Sequence, residues 1–263
     1  MDLQLTGKRA FVSGSTQGIG FAVARALLDE GASVVINGRS AERADAAVRR
    51  LEAEVPGASV EAVVADFADA SQVQRLLDDL GDVDVLVNNV GVFELAPFEQ
   101  ITDEDWQRYF DVNVMSGVRL SRHLLPGMLA RGWGRVIFVS SESGVDVPAD
   151  MLHYGFTKAG MIALGNGLAK LTRGTRVTVN TILGGPTFSD GVAETVAQVA
   201  AAQGVTPDQM KDTIAAGNRT SLLQRFIEPR EIAHLAAYLA SPLSSATNGA
   251  ALRADGGVLT TLV

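Results

Sequence analysis

The chain has 263 residues, a net charge of −8, 47% hydrophobic and 20% charged residues, and no cysteine. That length is ample for one large domain with a sizeable core. The missing cysteines exclude a disulfide scaffold, a zinc–thiolate site and a thiol nucleophile, and an acidic balance without a basic cluster argues against nucleic acid as the main partner. No apolar run reaches the length of a membrane span, and "MDLQLTGKRAFVSG" lacks the basic-then-apolar profile of a signal peptide, so a cytoplasmic protein without a membrane partner is expected.

Short β-branched runs alternate with helical segments. "RAFVSG" (9–14) precedes a helix over 18–31, "ASVVING" (32–38) precedes one over 41–54, and "SVEAVVAD" (59–66) precedes one over 70–80. "VDVLVNN" (83–89) leads into a long helical stretch from about 103 to 130, in which Thr102 and Asp105 suggest a capping box. "GRVIFVSS" (134–141) precedes a helix carrying Tyr154, and "RVTVNTIL" (176–183) follows it. Residues 186–220, rich in Ala, Gly and Thr with weak periodicity, interrupt the alternation and suggest a lid over a ligand crevice. Pro229 then suits the first turn of a last helix. Near-continuous apolar strands between helices predict a single-domain α/β protein over residues 1–263, a Rossmann-type doubly wound parallel sheet. Its ligand crevice would lie at the C-terminal strand ends.

Chemistry-bearing residues fall at those ends. The first strand runs into "SGSTQGIG", with glycines at 14, 18 and 20, a spacing that lets backbone and a pyrophosphate approach closely at a helix N-terminus. In "VVINGRS", Gly38 stands where an acid would bind a ribose 2′-hydroxyl, and Arg39 follows; both features favour a 2′-phosphate. Asp66 closes the third strand, either to accept from an adenine amino group or to cap the next helix. Asn88, Asn89 and Gly91 close the fourth, in a tight turn or beside a ribose. Ser141 ends the fifth strand, thirteen residues before Tyr154, and Tyr154 shares a helix face with Lys158. A phenol titrates near 10, and a neighbouring ammonium lowers that value, so the trio suits proton transfer to or from a substrate oxygen. Phe93, Glu94, Glu142, Met151, His153 and Phe188 flank these positions as candidates for a pocket wall. His153, pointing about 100° away from Tyr154 on the same helix, is a poor second base.

Together these motifs resemble the short-chain dehydrogenases/reductases over essentially the whole chain. Serine replaces the usual threonine at 13, Val90 replaces alanine in the N-N-A-G turn, and Gly184 stands where proline is usual. The resemblance implies a catalytic set of Asn113, Ser141, Tyr154 and Lys158, with Asn113 on a locally interrupted helix holding a water that connects Lys158 to solvent. It implies cofactor contacts at Gly14, Thr16, Gln17, Gly18, Ile19 and Gly20, at Arg39, Asp66 and Phe67, at Asn88 and Gly91, and at Thr187, Tyr154 and Lys158. The expected activity is hydride transfer between NADP, with NAD as the alternative, and a small-molecule carbonyl or secondary alcohol. A 3-oxoacyl thioester is one candidate substrate, and a homo-oligomer, a tetramer, is the expected assembly. No metal is implied. The rival reading is a dinucleotide-binding sensor or structural subunit without turnover.

Overall fold

A computed structural model describes residues 1–261. The strands are β1 (Arg9–Val12), β2 (Ser33–Gly38), β3 (Val60–Val64), β4 (Val85–Asn88), β5 (Trp133–Ser141), β6 (Arg176–Gly184) and β7 (Ala251–Ala254). They form one sheet in the order β3-β2-β1-β4-β5-β6-β7, with every pairing parallel. The order reverses between β1 and β4, which places the ligand crevice at their C-terminal ends.

Between the strands run α1 (Gly18–Asp29), α2 (Ala41–Glu54), α3 (Ala70–Leu80), α4 (Asp103–Tyr109), α5 (Met115–Arg131), α6 (Leu152–Leu171), α7 (Asp190–Gln203), α8 (Pro207–Gly217) and α9 (Pro229–Ala240). Parallel strands need cover on both faces, and the core accordingly divides in two. One half packs α1 and α9 on Val12, Val34, Val87 and Ile182; the other packs α3 and α5 on Phe11, Leu86, Val136 and Phe138. Alternate strand residues face opposite halves, as the two-residue period requires.

Two expectations are refined. The stretch 103–130 is not one helix: a π turn, Phe110–Val114, separates α4 from α5 and contains Asn113. The expected capping box does start α4, with Thr102 and Asp105 each bonded to the other's backbone N–H. The segment 186–220, weakly periodic in sequence, holds α7 and α8. Their small shared core is Val196, Ala200 and Met210, packed with Phe188 and Val192. That core explains the weak signal, since a two-helix hairpin needs only a narrow apolar stripe and alanines supply much of it.

Candidate active site

The path of the glycine turn depends on its glycines. Gly14 and Gly18 have φ of +60° and +61°, a region that side chains with a Cβ rarely enter. A Cβ on Gly20 would lie 2.4 Å from the Gly14 carbonyl oxygen, so only glycine lets α1 start so close to the turn. Gln17 caps α1 without a side-chain hydrogen bond, and no acid stands in its first turn. The helix thus presents N–H groups to an anion. One of them is engaged from far away in sequence: Gly18 N donates to Asp190 Oδ2 at 2.7 Å, at the start of α7. Ile19 packs against the core, leaving its backbone at the turn.

Two asparagines fix this turn. Asn37, buried in β2, accepts from Gly14 N at 3.0 Å and donates to the carbonyls of Val63 and Ala65. Asn89 donates to the carbonyls of Ser13 and Gly14 at 3.1 and 2.8 Å. Asn88, singled out in the sequence, faces the other way. Its side chain is buried and its Nδ2 points to Ser121 in α5, so only its backbone borders the crevice. The cause is strand alternation, which turns consecutive side chains to opposite faces.

At the end of β2, a Cβ on Gly38 would sit 2.5 Å from the Thr16 methyl group. Thr16 therefore holds the place an acid at 38 would need. Arg39 is exposed and has no ion-pair or hydrogen-bond partner among the described residues. Asp66 does not cap α3; Asp69 does, accepting from Ser71 N and Gln72 N. Asp66 instead accepts from Ala68 N through Oδ1. The Phe67 ring is buried in the core and its carbonyl accepts from Arg119, so any contact with a dinucleotide would be through its backbone.

The catalytic candidates converge at the mouth of β5. Ser141 is buried, accepts from Ser143 N at 3.1 Å and is hydrogen-bonded to the Glu142 carboxyl. Tyr154 stands beside Ser141, with its ring edge-on to Phe93 at 6.4 Å between centroids. Lys158 Nζ lies 5.5 Å from the centre of the Tyr154 ring and donates to the Val139 carbonyl at 3.0 Å. Gly91 passes between Lys158 and Asn113; a Cβ there would lie 3.4 Å from Lys158 Nζ and 3.6 Å from Asn113 Oδ1.

Asn113 is completely buried, and its carboxamide accepts from Val92 N and donates to Val92 O and to Thr157 Oγ1. Both of its N–H donors are used. In this structure the side chain clamps the loop after β4, so the water-holding role implied by the resemblance would fall to its backbone. Thr187 is buried beyond β6, in a bridge to Ile227. The turn carrying Gly184 is held by ladder pairing with Ala254 and by the bond from Gly185 N to Ala254 O, which supply the order a proline would have given. His153 is buried against Tyr109, with ring centroids 3.9 Å apart, and burial holds its pKa below the usual value. It is a packing residue here.

One electrostatic expectation reverses. Burial pushes the Tyr154 phenol above its ordinary pKa, and Glu142, where ionised, pushes it further. The hydrogen bond with Ser141 acts the other way but does not prevail. The same burial brings Lys158 down to about 8. With Lys158 at about 8, its ammonium is already lost at the pH where the phenol titrates, so it does not offset the desolvation.

The fit to a dinucleotide is therefore structural. The turn packs tightly at Gly20 where only glycine fits, α1 begins without a side-chain cap from Gln17 and with one N–H taken by Asp190, Arg39 is unpaired among the described residues, and Gly91 leaves room beside Lys158. A sequence model of the short chain dehydrogenase family matches residues 8–200. The chain belongs to this family. An uncharacterised Bacillus subtilis oxidoreductase, YvrD, is 44% identical, and the match covers 100% of both chains. The D-β-hydroxybutyrate dehydrogenase of Cupriavidus necator is 33% identical over 96% of this chain and 98% of its own. The crystal structure of L-sorbose reductase from Gluconobacter frateurii, complexed with NADPH and L-sorbose, superposes with a TM-score of 0.93 at 32% identity, over 100% of both chains. The protein is an oxidoreductase of CH–OH and C=O groups that uses NAD(P).

Asn37 is the residue that the motifs did not point to, and Asn89, read there as part of the turn after the fourth strand, proves to brace the glycine turn. Asn89→Ala removes two hydrogen bonds worth about 1 kcal/mol each. Dinucleotide affinity, followed by quenching of intrinsic fluorescence, should then weaken by roughly ten- to thirtyfold while the folded state persists.

Proposed function

We propose that the protein is an NADP-dependent reductase of a small carbonyl compound, reversible toward the secondary alcohol, with Tyr154 as general acid–base. The observation that carries this reading is the convergence of Ser141, Tyr154 and Lys158 in one enclosed place at the end of β5. A binding module without turnover has no use for a desolvated phenol and a buried ammonium, both of which are costly to enclose. This weighs against the sensor reading.

The dinucleotide, when bound, supplies the hydride or takes it up. The turn 14–20 would hold its pyrophosphate, Arg39 its 2′-phosphate, and Lys158 its nicotinamide ribose. Ser141 orients the substrate oxygen. Tyr154 gives that oxygen a proton, and its raised pKa keeps the proton in place until the oxygen becomes basic. The NADPH-bound sorbose reductase supports the choice of NADP. The 3-oxoacyl thioester is one member of the substrate class; the sorbose reductase and the hydroxybutyrate dehydrogenase point to others within it. The hairpin of α7 and α8, tied to α1 through Asp190, covers the crevice in this reading. A second copy of the chain is the partner the surface suits. Phe110 and Phe156 expose apolar rings on neighbouring elements, and Phe98 adds a third nearby in the chain.

Tyr154→Phe should abolish NADPH-dependent reduction across a carbonyl panel, a loss of at least about a hundredfold, while NADPH binding stays near the parent value. Lys158→Met should impair both. Because the Lys158 ammonium is lost as pH rises through about 8, parent NADPH affinity should weaken above that pH and that of Lys158→Met should not.

Arg39→Ala should lower NADPH affinity by about ten- to a hundredfold, the worth of a charge-assisted pair of roughly 1.5–3 kcal/mol, and leave NADH affinity unchanged. Equal affinity of the parent for the two dinucleotides would contradict the choice of NADP.

Light scattering at micromolar concentration should give the mass of an oligomer, four copies on the assembly expected here. Phe156→Asp should shift it toward the monomer.

A further inference from the structure

Glu142 directly follows Ser141 and opens the single 3₁₀ turn, Glu142–Gly144, that ends β5. Its carboxyl folds back onto the residue before it: Oε2 is in short contact with Ser141 Oγ, and Oε1 lies 3.4 Å from Ser143 Oγ. Ser143 N donates to Ser141 Oγ from a third direction. A carboxyl thus shares a hydroxyl with the residue that must orient the substrate, and the reading above leaves it without a task.

A serine hydroxyl has one proton to donate and two lone pairs to accept with. Ser143 N–H occupies one lone pair. If Glu142 is ionised it can only accept, so it takes the Ser141 proton; Ser141 then faces the substrate with a lone pair alone. A carbonyl oxygen also only accepts, and two acceptors do not bond. If Glu142 carries a proton, its O–H donates to the second lone pair of Ser141, and the serine proton is free to point at the substrate oxygen. Without substrate the Tyr154 phenol can bond Ser141; once that phenol turns to the substrate oxygen, only the protonated state satisfies every donor and acceptor at once. The short oxygen–oxygen contact is compatible with a proton on either atom.

We propose that Glu142 is a positioning residue that sets the direction of the Ser141 proton, and that the enzyme turns over only while Glu142 is protonated. This rests on the reading of Ser141 and Tyr154 given above. The surroundings favour the required state. The carboxyl is largely desolvated, and burial raises its pKa against the hydrogen bonds from Ser141 and Ser143. The charged or titratable groups acting on it are Lys158 and Tyr154, both of α6. Lys158 makes no ion pair with it and donates to Val139 O instead. Because both directions of the reaction pass through the same transition state, the requirement applies equally to carbonyl reduction and alcohol oxidation.

The test compares the parent with Glu142→Gln, whose amide N–H donates to Ser141 at every pH. The first measurement is kcat/KM for carbonyl reduction against pH. At saturating NADPH, and apart from the Lys158 loss near 8 that both proteins share, the parent should decline by about tenfold per pH unit above one ionisation that lies higher than the usual carboxylate range. In Glu142→Gln that ionisation should vanish, with the low-pH rate kept within about tenfold of the parent. A residue with a merely structural role would lower the rate and leave the profile's shape intact, and that result would overturn the proposal. The second measurement is the Glu142 titration in the parent, followed by carboxyl carbon-13 NMR and assigned by its absence in Glu142→Gln. A carboxyl titrating in the ordinary range would also overturn the proposal while the assignment of Tyr154 stood. A parent with no turnover of any carbonyl, but with Glu142 titrating high, would instead overturn the functional reading.

Discussion

Gly14 is held by both of its backbone polar groups. Its N–H reaches Asn37 in β2, and its carbonyl takes a proton from Asn89 just beyond β4. These strands flank β1 on either side, so the turn is braced from both neighbours at the place where the strand order reverses. The bracing keeps the backbone from collapsing onto itself at the N-terminus of α1. Two features of the turn depend on it, the positive φ at Gly14 and the close start of α1 at Gly20. Side-chain amides suit this task because each offers donors and acceptors in a fixed plane, and a buried backbone group left unpaired is costly.

The electrostatics of the second half of the site has one dominant cause, enclosure. Burial raises Tyr154 and Glu142 and lowers Lys158, in each case favouring the uncharged form. The site is tuned by the removal of water more than by attraction between neighbours. A phenol in such surroundings is a donor that waits, and an ammonium near 8 is a charge retained with little margin at neutral pH. The arrangement tolerates Glu142 because two serine hydroxyls meet its carboxyl.

Much of this was legible in the sequence, for definable reasons. Parallel strands buried on both faces leave continuous apolar runs, so six of the seven strands stood out before their helices, with ends displaced by a few residues. The glycine spacing and the i, i+4 pair of Tyr154 and Lys158 are local, and local geometry survives reading in one dimension. What failed to show was orientation and burial. Asn88 and Asn89 are chemically identical, and only strand pleat decides which one turns to the glycines. Phe67 reads as a contact by position, yet a packed sheet face claims its ring. The sign of the Tyr154 shift depends on how much water the folded chain excludes, which neighbours in sequence do not reveal. The partners of Asn113 in the π turn, Val92 and Thr157, likewise lie 21 and 44 residues away.

The bond from Gly18 to Asp190 spans 172 residues. The first motif of the chain is therefore among the last to be completed. A ribosome that has released β1, α1 and β2 has made a glycine-rich loop still lacking its partners from Asn89 and Asp190, and α9, which packs on α1, arrives later still. Closing contacts of that span carries a large entropic cost before any reward, so the phosphate turn belongs to the slow, cooperative end of folding. It follows that this glycine-rich stretch is not a separable module: strands on both sides brace it, and a residue 172 positions on completes its hydrogen bonding.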